Sequence, residues 1–126
     1  MRVLLDTAVL IFSIESPERL SKRAAAALGN PANVRELSSI SLTEIAIKTT
    51  LGKLNISGEM VRQAIQDMDV HILPFTADHA FRLCELPAYH RDPFDRPIIA
   101  QAFTEDVPVV TSDESFSLYK GLRLIW

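Results

Sequence analysis

The sequence lacks several features that mark secreted, membrane-spanning or fibrous proteins. Its 126 residues include one cysteine, which excludes an internal disulfide and is typical of a reducing cytoplasm. No apolar run approaches the roughly 20 residues of a membrane span, and repeats, linkers and low-complexity segments are absent. The apolar run after Arg2 ends at Asp6, which argues against a signal peptide. These absences predict a globular cytoplasmic protein without membrane attachment.

Basic charge and aromatic residues are also scarce. The formal net charge is −3, which weighs against a nucleic-acid partner. Neutralising four carboxylates at a metal site would change that charge to +1, so the total alone does not decide the question. No basic run is interleaved with aromatic residues, and base stacking therefore gives no hint of a sequence preference.

The composition is that of one globular domain spanning residues 1–126, with 48% hydrophobic and 23% charged residues. Apolar runs predict strands at 2–5, 34–39, 70–73, 107–110 and 122–126. Periodic patterns predict helices at 8–12, 20–28, 57–68, 76–86 and 97–105, with another beginning at Ser41. Strands that alternate with helices predict an α/β fold, with a central parallel sheet covered by helices on both faces.

Several polar residues have ordinary structural interpretations. Ser41 and Glu44 have the spacing of a capping box, and Glu44 with Lys48 forms a favourable i,i+4 pair. Cys84 lies among apolar neighbours and is predicted to be buried in its helix. His79 is predicted to lie on the exposed side of the same helix.

The stretch HRDPFDRPIIAQA, residues 90–102, is the most unusual in the chain. Pro97 suits the first turn of a helix, which the pattern predicts to begin there. Asp95 then lies at the N-terminus of the helix, near the positive end of the peptide dipoles. Capping explains one such aspartate but not the charged residues crowded beside it, which are His90, Arg91, Asp92 and Arg96. This junction is therefore the predicted centre of a functional site.

Four carboxylates are predicted to share one rim of the sheet. Asp6 and Asp113 follow strands directly, whereas Glu44 and Asp95 fall in the first turns of helices. In a parallel sheet, ligands bind outside the carboxyl ends of the strands. Clustered carboxylates repel each other, which costs stability unless a cation neutralises them. An all-oxygen set of this kind favours Mg²⁺ or Mn²⁺.

Four motifs carry a family resemblance. In chain order they are LLDTAVLI, SLTEIAIK followed by GKL, HRDPFDRPIIAQA and VVTSD. Together they resemble the motifs of PIN domains, most closely the VapC-type ribonuclease toxins of bacterial and archaeal toxin–antitoxin pairs. The resemblance covers nearly the whole chain. The main departure is Pro97, where the family typically has an ordinary helix former.

The resemblance implies a Mg²⁺-dependent ribonuclease with a three-layer PIN-like fold. The implied metal-binding and catalytic acids are Asp6, Glu44, Asp95 and Asp113. Hydroxyl positions that line the family's site match Thr7, Ser41 and Thr111. The basic residues predicted to contact phosphate are Arg91 and Arg96, with Lys48, Lys53 and His90 as further candidates.

The resemblance also implies two protein partners. One is a second copy of the chain, giving a homodimer, and the other is a small antitoxin whose segment lies in an apolar groove. The apolar stripe Met60, Val61, Ala64 and Ile65 has two interpretations, as part of that groove or as ordinary core.

Alternative functions differ in how well they fit the residues. A haloacid-dehalogenase-type phosphatase requires D-x-D, whereas Asp6 is followed by Thr7 and Ala8. A receiver domain requires paired acids near its start and a lysine after a late strand, and the sequence has neither. Two alternatives remain open: a DNA-directed nuclease with the same acidic site, and a degenerate PIN module that binds RNA or protein without catalysis.

Overall fold

The computed structural model describes residues 1–89 and 91–126, so predictions that involve His90 lie outside the described residues. One parallel sheet is built from Arg2–Leu5 (β1), Val34–Ser38 (β2), Val70–Leu73 (β3), Val109–Val110 (β4) and Leu124–Ile125 (β5). The strand order is β3-β2-β1-β4-β5, and every pairing is parallel. The predicted strands are thus all present, with the last two shorter than expected.

Six helices connect these strands within the described part of the chain. They are Thr7–Glu15 (α1), Lys22–Gly29 (α2), Ser39–Thr50 (α3), Gly58–Asp67 (α4), Ala77–Glu85 (α5) and Asp95–Glu105 (α6). Short 3-10 turns cover Pro17–Arg19 and Glu114–Leu118. None of the described helices has the length and apolar character needed to cross a membrane.

The hydrophobic core has two parts because β1 is buried on both faces. Val3 and Leu5 belong to one cluster, which also contains residues of α1, α2 and α4. Leu4 points to the other face, where it joins the Ile98 and Ile99 side chains of α6. The predicted three-layer α/β architecture is therefore confirmed.

Two arginines anchor the amino ends of the central strands. Arg2 donates to the carboxylates of Glu36 and Glu105 at 2.6 and 3.0 Å. The Arg35 guanidinium donates to three backbone carbonyls, those of Leu28, Asn30 and Met68. These partners satisfy the charged residues of β2, which made this segment a weak strand candidate by sequence alone.

Two predicted helix starts are wrong. The N-cap of α3 is Ser38, whose hydroxyl accepts from the Ile40 N–H, so the proposed Ser41–Glu44 capping box does not form and both residues lie inside the helix. Helix α6 begins at Asp95 rather than Pro97. A proline is tolerated throughout the first turn, where N–H groups have no intrahelical partner, so it does not mark the first residue.

Two predictions of burial on α5 are also wrong. His79 is buried rather than exposed, with Nε2 3.0 Å from Glu105 Oε2 and Nδ1 accepting from the Thr76 N–H. Cys84 is exposed. Helix α5 packs against α6 through the side that carries His79, which places Cys84 toward solvent.

The strand order creates a crevice at the carboxyl ends of β1 and β4. The chain proceeds from β1 through β2 to β3 on one side and then returns to the other side of β1 with β4 and β5. Helices that leave neighbouring strands in opposite directions open a gap at such a reversal, and ligands of open α/β sheets bind there. Asp6 follows β1 and Thr111 follows β4, so both lie at this crevice.

Candidate active site

Asp6 is the buried acid at the centre of the crevice. It directly follows β1, and 5% of the residue is exposed. The Thr111 hydroxyl, at the end of β4, donates to Asp6 Oδ2 at 2.7 Å. The Asp113 N–H in turn donates to the same Thr111 oxygen at 3.0 Å. Thr111 therefore connects the acid after β1 with the acid after β4.

Helix α3 adds a second acid from the other side of β1. Ser41 accepts a 2.8 Å hydrogen bond from the Thr7 hydroxyl, which joins α3 to the start of α1. Glu44, one turn further along α3, is buried, and its Oε2 contacts Lys48 Nζ at 2.6 Å. The other carboxylate oxygen, Oε1, is buried without a hydrogen-bond partner among the described residues. A buried, unpaired acceptor of this kind is suited to a cation or a bound donor.

Asp92 positions Asp95 at the start of α6. Asp92 Oδ1 accepts from the N–H groups of Phe94 at 2.7 Å and Asp95 at 3.2 Å. Because Asp92 satisfies these free donors, the side chain of Asp95 is not needed for capping. The sequence analysis named Asp92 only as one of the charged residues beside Asp95, although an aspartate three residues before Asp95 was a usable capping signal.

We expect Asp92→Ala to lower both stability and activity. Loss of a cap costs about 1 kcal/mol, and fraying of the first turn moves Asp95. Thermal unfolding measures the loss of stability, and an assay of the nuclease activity that the sequence predicts measures the other effect. Asp92→Asn is the matched control, because its side-chain oxygen still accepts from both N–H groups. Equal losses in the asparagine and alanine variants would contradict a capping role.

Asp113 is half-buried and held by the turn that follows it. Its Oδ1 accepts from the N–H of Ser115 at 2.9 Å and also from the Ser115 hydroxyl. These bonds fix the direction of the carboxylate relative to Thr111.

The site acids are close enough for their negative charges to raise the pKa values of Asp6 and Asp95. Burial raises the pKa of Asp6 to about 6, the Thr111 hydrogen bond opposes that shift, and the charges of Glu44 and Asp113 add to it. Burial also raises the pKa of Asp95 to about 7, with further increases from the charges of Asp6, Asp92, Asp113 and Glu44. The predicted convergence of these acids on one rim is therefore present in the structure.

The donor set fits a hard divalent cation, although it does not form a complete cage. No group of three or more histidine, cysteine or acidic residues in 1–89 and 91–126 has the arrangement of a metal site. Mg²⁺ commonly binds through one or two carboxylates and keeps several waters, so it does not require such a cage. The unpartnered Glu44 Oε1 and the raised pKa values of Asp6 and Asp95 both indicate negative charge that a cation would stabilise.

The predicted basic residues differ in their availability. Lys48 faces the acids: its bond to Glu44 raises its pKa, and the charges of Asp92 and Asp95 add to that effect. Arg91 and Lys53 are exposed. Arg96 instead donates through Nη2 to the carbonyls of Leu86 at 2.9 Å and Leu83 at 3.4 Å. Lys48 is thus the cation in direct contact with a site acid, whereas Arg96 joins α6 to the end of α5.

Residues after β4 and β5 also reach this rim. A cavity beside Asp113 is lined in part by Glu114, Ser117 and Trp126. Sequence reasoning missed these residues, because Trp126 is distant in sequence from the acids and belongs to no basic or aromatic pattern. Only the pairing of β5 with β4 brings it to the site.

Comparison with known families agrees with this geometry. The PIN domain family model matches residues 3–122. The chain therefore belongs to the PIN domain family, and the predicted resemblance is confirmed at this level. A comparison with curated proteins gave no significant match.

Solved structures share the fold over almost the full length. A chain of VapBC2 from Rickettsia felis, bound to a promoter DNA fragment, is 21% identical, with a TM-score of 0.74 and coverage of 98% of this chain and 97% of that chain. A chain of DNA-bound VapBC from Salmonella typhimurium is 19% identical, with a TM-score of 0.73 and coverage of 98% and 96%. A chain of VapBC-5 from Mycobacterium tuberculosis, described as a toxin–antitoxin system, is 20% identical, with a TM-score of 0.62 and coverage of 98% and 97%.

Proposed function

We propose that the protein is a metal-dependent ribonuclease and the toxin component of a type II toxin–antitoxin system. The observation that carries the proposal is the convergence of Asp6, Glu44, Asp95 and Asp113 at the β1–β4 crevice. Membership of the PIN domain family supports nuclease chemistry. The likeness to VapBC structures supports the toxin assignment. The preferred cation is Mg²⁺, with Mn²⁺ as an alternative of similar ligand preference.

Asp6 and Asp95 would hold the principal ion, and Glu44 and Asp113 would bind it directly or through waters. When bound, such an ion activates a water for attack on phosphorus and stabilises charge on the phosphoryl oxygens. The Thr111 hydroxyl keeps Asp6 oriented, and the Ser115 contacts keep Asp113 oriented. Asp92 keeps the start of α6 in place.

The hydroxyls and basic residues would position the RNA backbone. Thr7, Ser41 and Thr111 form the polar floor of the site, where Thr7 and Ser41 are already bonded to each other. Arg91 is exposed, so it is the better placed of the two arginines for a phosphate contact. Arg96 would have to share its guanidinium between phosphate and the Leu83 and Leu86 carbonyls.

Cleavage of RNA and single-stranded DNA under matched salt and Mg²⁺ tests the substrate assignment. We expect RNA to be cut and the DNA to be cut at least about 10-fold more slowly, with both reactions stopped by EDTA. Equal rates would favour the DNA-directed or non-selective nuclease. Binding of RNA without cleavage in either Mg²⁺ or Mn²⁺ would favour the degenerate binding module.

The proposed protein partners are an antitoxin and a second copy of the chain. A groove between α3 and α4 is lined by apolar side chains, including Leu42, Ile45, Val61 and Ile65, and would accept an antitoxin segment. The four residues of the predicted apolar stripe differ in burial. Val61 is buried in the core, Ala64 and Ile65 are partly buried, and Met60 is 43% exposed. A homodimer and a cytoplasmic location complete the proposal. A neighbouring open reading frame for a small antitoxin would support it.

A further inference from the structure

A second cavity opens beside the acidic crevice. It has a volume of about 420 Å³ and lies at the carboxyl ends of β4 and β5. Its lining residues are Thr111, Ser112, Asp113, Glu114, Ser117, Leu124 and Trp126. Small-molecule pockets commonly range from about 300 to 1,000 Å³, so the cavity is large enough for a planar organic group.

The cavity shares a wall with the proposed catalytic site. Thr111 lines the cavity, and its hydroxyl also donates to Asp6 Oδ2 at 2.7 Å. Asp113 lines the cavity as well and is one of the four acids. A group in the cavity would therefore be a direct neighbour of a phosphodiester bound at the ion that Asp6 and Asp113 are proposed to hold.

Trp126 gives the cavity an aromatic surface with a fixed position. The residue is half-buried and packs against the core cluster that contains Val3 and Leu5. Its indole also packs against Phe12, with ring centroids 6.4 Å apart and planes inclined by 57°. Arg19 covers Phe12, with Cζ 4.0 Å from the ring centroid. Aromatic side chains held in this way are the usual stacking surfaces for unpaired bases.

The lining of the cavity also includes hydrogen-bond acceptors. Asp113 and Glu114 are carboxylates, which accept hydrogen bonds and repel phosphate. The Ser117 hydroxyl donates to the Glu114 carbonyl at 2.6 Å, so its lone pairs are left to accept. An uncharged ring with an exocyclic amino group fits these surroundings better than a phosphate group. Glutamate acceptors suit the amino group of cytosine in particular.

We propose that this cavity binds one unpaired nucleobase next to the cleaved bond and favours a base with an exocyclic amino group, such as cytosine, over uracil. The inference rests on the proposed ribonuclease function and adds a base preference to it. Trp126 supplies the stacking surface, and Glu114 with Ser117 supplies the acceptors.

The fluorescence of Trp126 provides the test, because it is the only tryptophan in the sequence. The Asp6→Asn variant is titrated with short fluorescently labelled oligocytidylate and oligouridylate in Mg²⁺ at matched salt, and anisotropy of the label measures total binding. We expect both oligonucleotides to quench Trp126, with oligocytidylate bound about 10-fold more tightly. In the background of that variant, Glu114→Gln is expected to reduce the preference.

Cleavage kinetics of otherwise unchanged protein provide a second readout. Trp126→Ala is expected to raise KM about 10-fold or more, whereas Trp126→Phe keeps a stacking ring and stays near the parent value. Phe81→Ala is the matched control, since Phe81 is an aromatic residue with 69% exposure that lies outside the cavity lining. If Trp126→Ala does not fold, the phenylalanine and Glu114→Gln variants retain the test.

Failure of this inference is distinguishable from failure of the proposed function. Unchanged Trp126 fluorescence at oligonucleotide concentrations that saturate anisotropy would overturn the base site while leaving RNA binding intact. Equal affinity for the two oligonucleotides would overturn the base preference. Absence of any RNA binding or cleavage would overturn both proposals.

Discussion

Asp6→Asn is expected to reduce Mg²⁺-dependent RNA cleavage to below about 1% of the parent rate, because carboxylate-bound metal supplies several kcal/mol of transition-state stabilisation. The substitution removes the negative charge but keeps the size and shape of the side chain. Asparagine Oδ1 can still accept the hydrogen bond that Thr111 donates to Asp6. The residue is 95% buried at the crevice, so the change acts on the centre of the site.

The control for this result is an equivalent change away from the rim. Asp67→Asn alters an exposed residue at the end of α4, whose Oδ1 accepts from Gln63 Nε2. We expect parent activity in that variant and an unchanged circular dichroism spectrum in both. Full cleavage activity in Asp6→Asn would remove the central claim of the proposed function.

In the absence of divalent ions, stability is expected to decrease as the pH rises from about 4 to about 7. Burial raises the pKa of Asp6 from 3.8 to about 6, and burial with neighbouring charge raises that of Asp95 from 3.8 to about 7. Between 3.8 and these values the folded state binds more protons than the unfolded state. The free energy of unfolding therefore falls with increasing pH, which is opposite to the usual effect of a paired carboxylate.

Asp6 and Asp95 both contribute to this effect, and Asp6 is the more buried of the two. For Asp6 the difference in pKa corresponds to roughly 3 kcal/mol. Urea unfolding in EDTA across this pH range measures it, and Asp6→Asn is expected to flatten the profile and to be the more stable protein at high pH. Mg²⁺ is expected to stabilise the parent by mass action and to have little effect on the variant. Identical pH profiles in EDTA would contradict the electrostatic coupling.

The strands and the rim could be predicted from sequence because both depend on local pattern. Short apolar runs such as 2–5 identify β1, and an acid directly after a parallel strand must lie at its carboxyl edge. The positions of Asp6 and Asp113 are predictable in this way. Glu44 lies at the same edge, although its helix begins earlier than predicted. It remains close to the start of α3, on the side of the helix that faces β1.

The features that sequence reasoning missed depend on partners distant along the chain. His79 is buried because Glu105 contacts it from α6, and nothing near His79 in sequence indicates that partner. Trp126 reaches the rim through the pairing of β5 with β4. The choice of Ser41 instead of Ser38 as the cap was a local error, since both serines satisfy the same capping rule and only the end of β2 distinguishes them.

The arginine anchors of the sheet lie at the opposite end from the acids. Arg2 and Arg35 join the amino ends of the strands to α2, α4 and α6 through carboxylates and backbone carbonyls. The effect of substitutions is accordingly expected to differ along each strand. Changes beyond the carboxyl ends can abolish activity while the fold is retained. If the chain is the toxin proposed above, an inactivated, fully folded form would not harm the cell that produces it. Such a form would be suited to capturing the proposed RNA and protein partners intact.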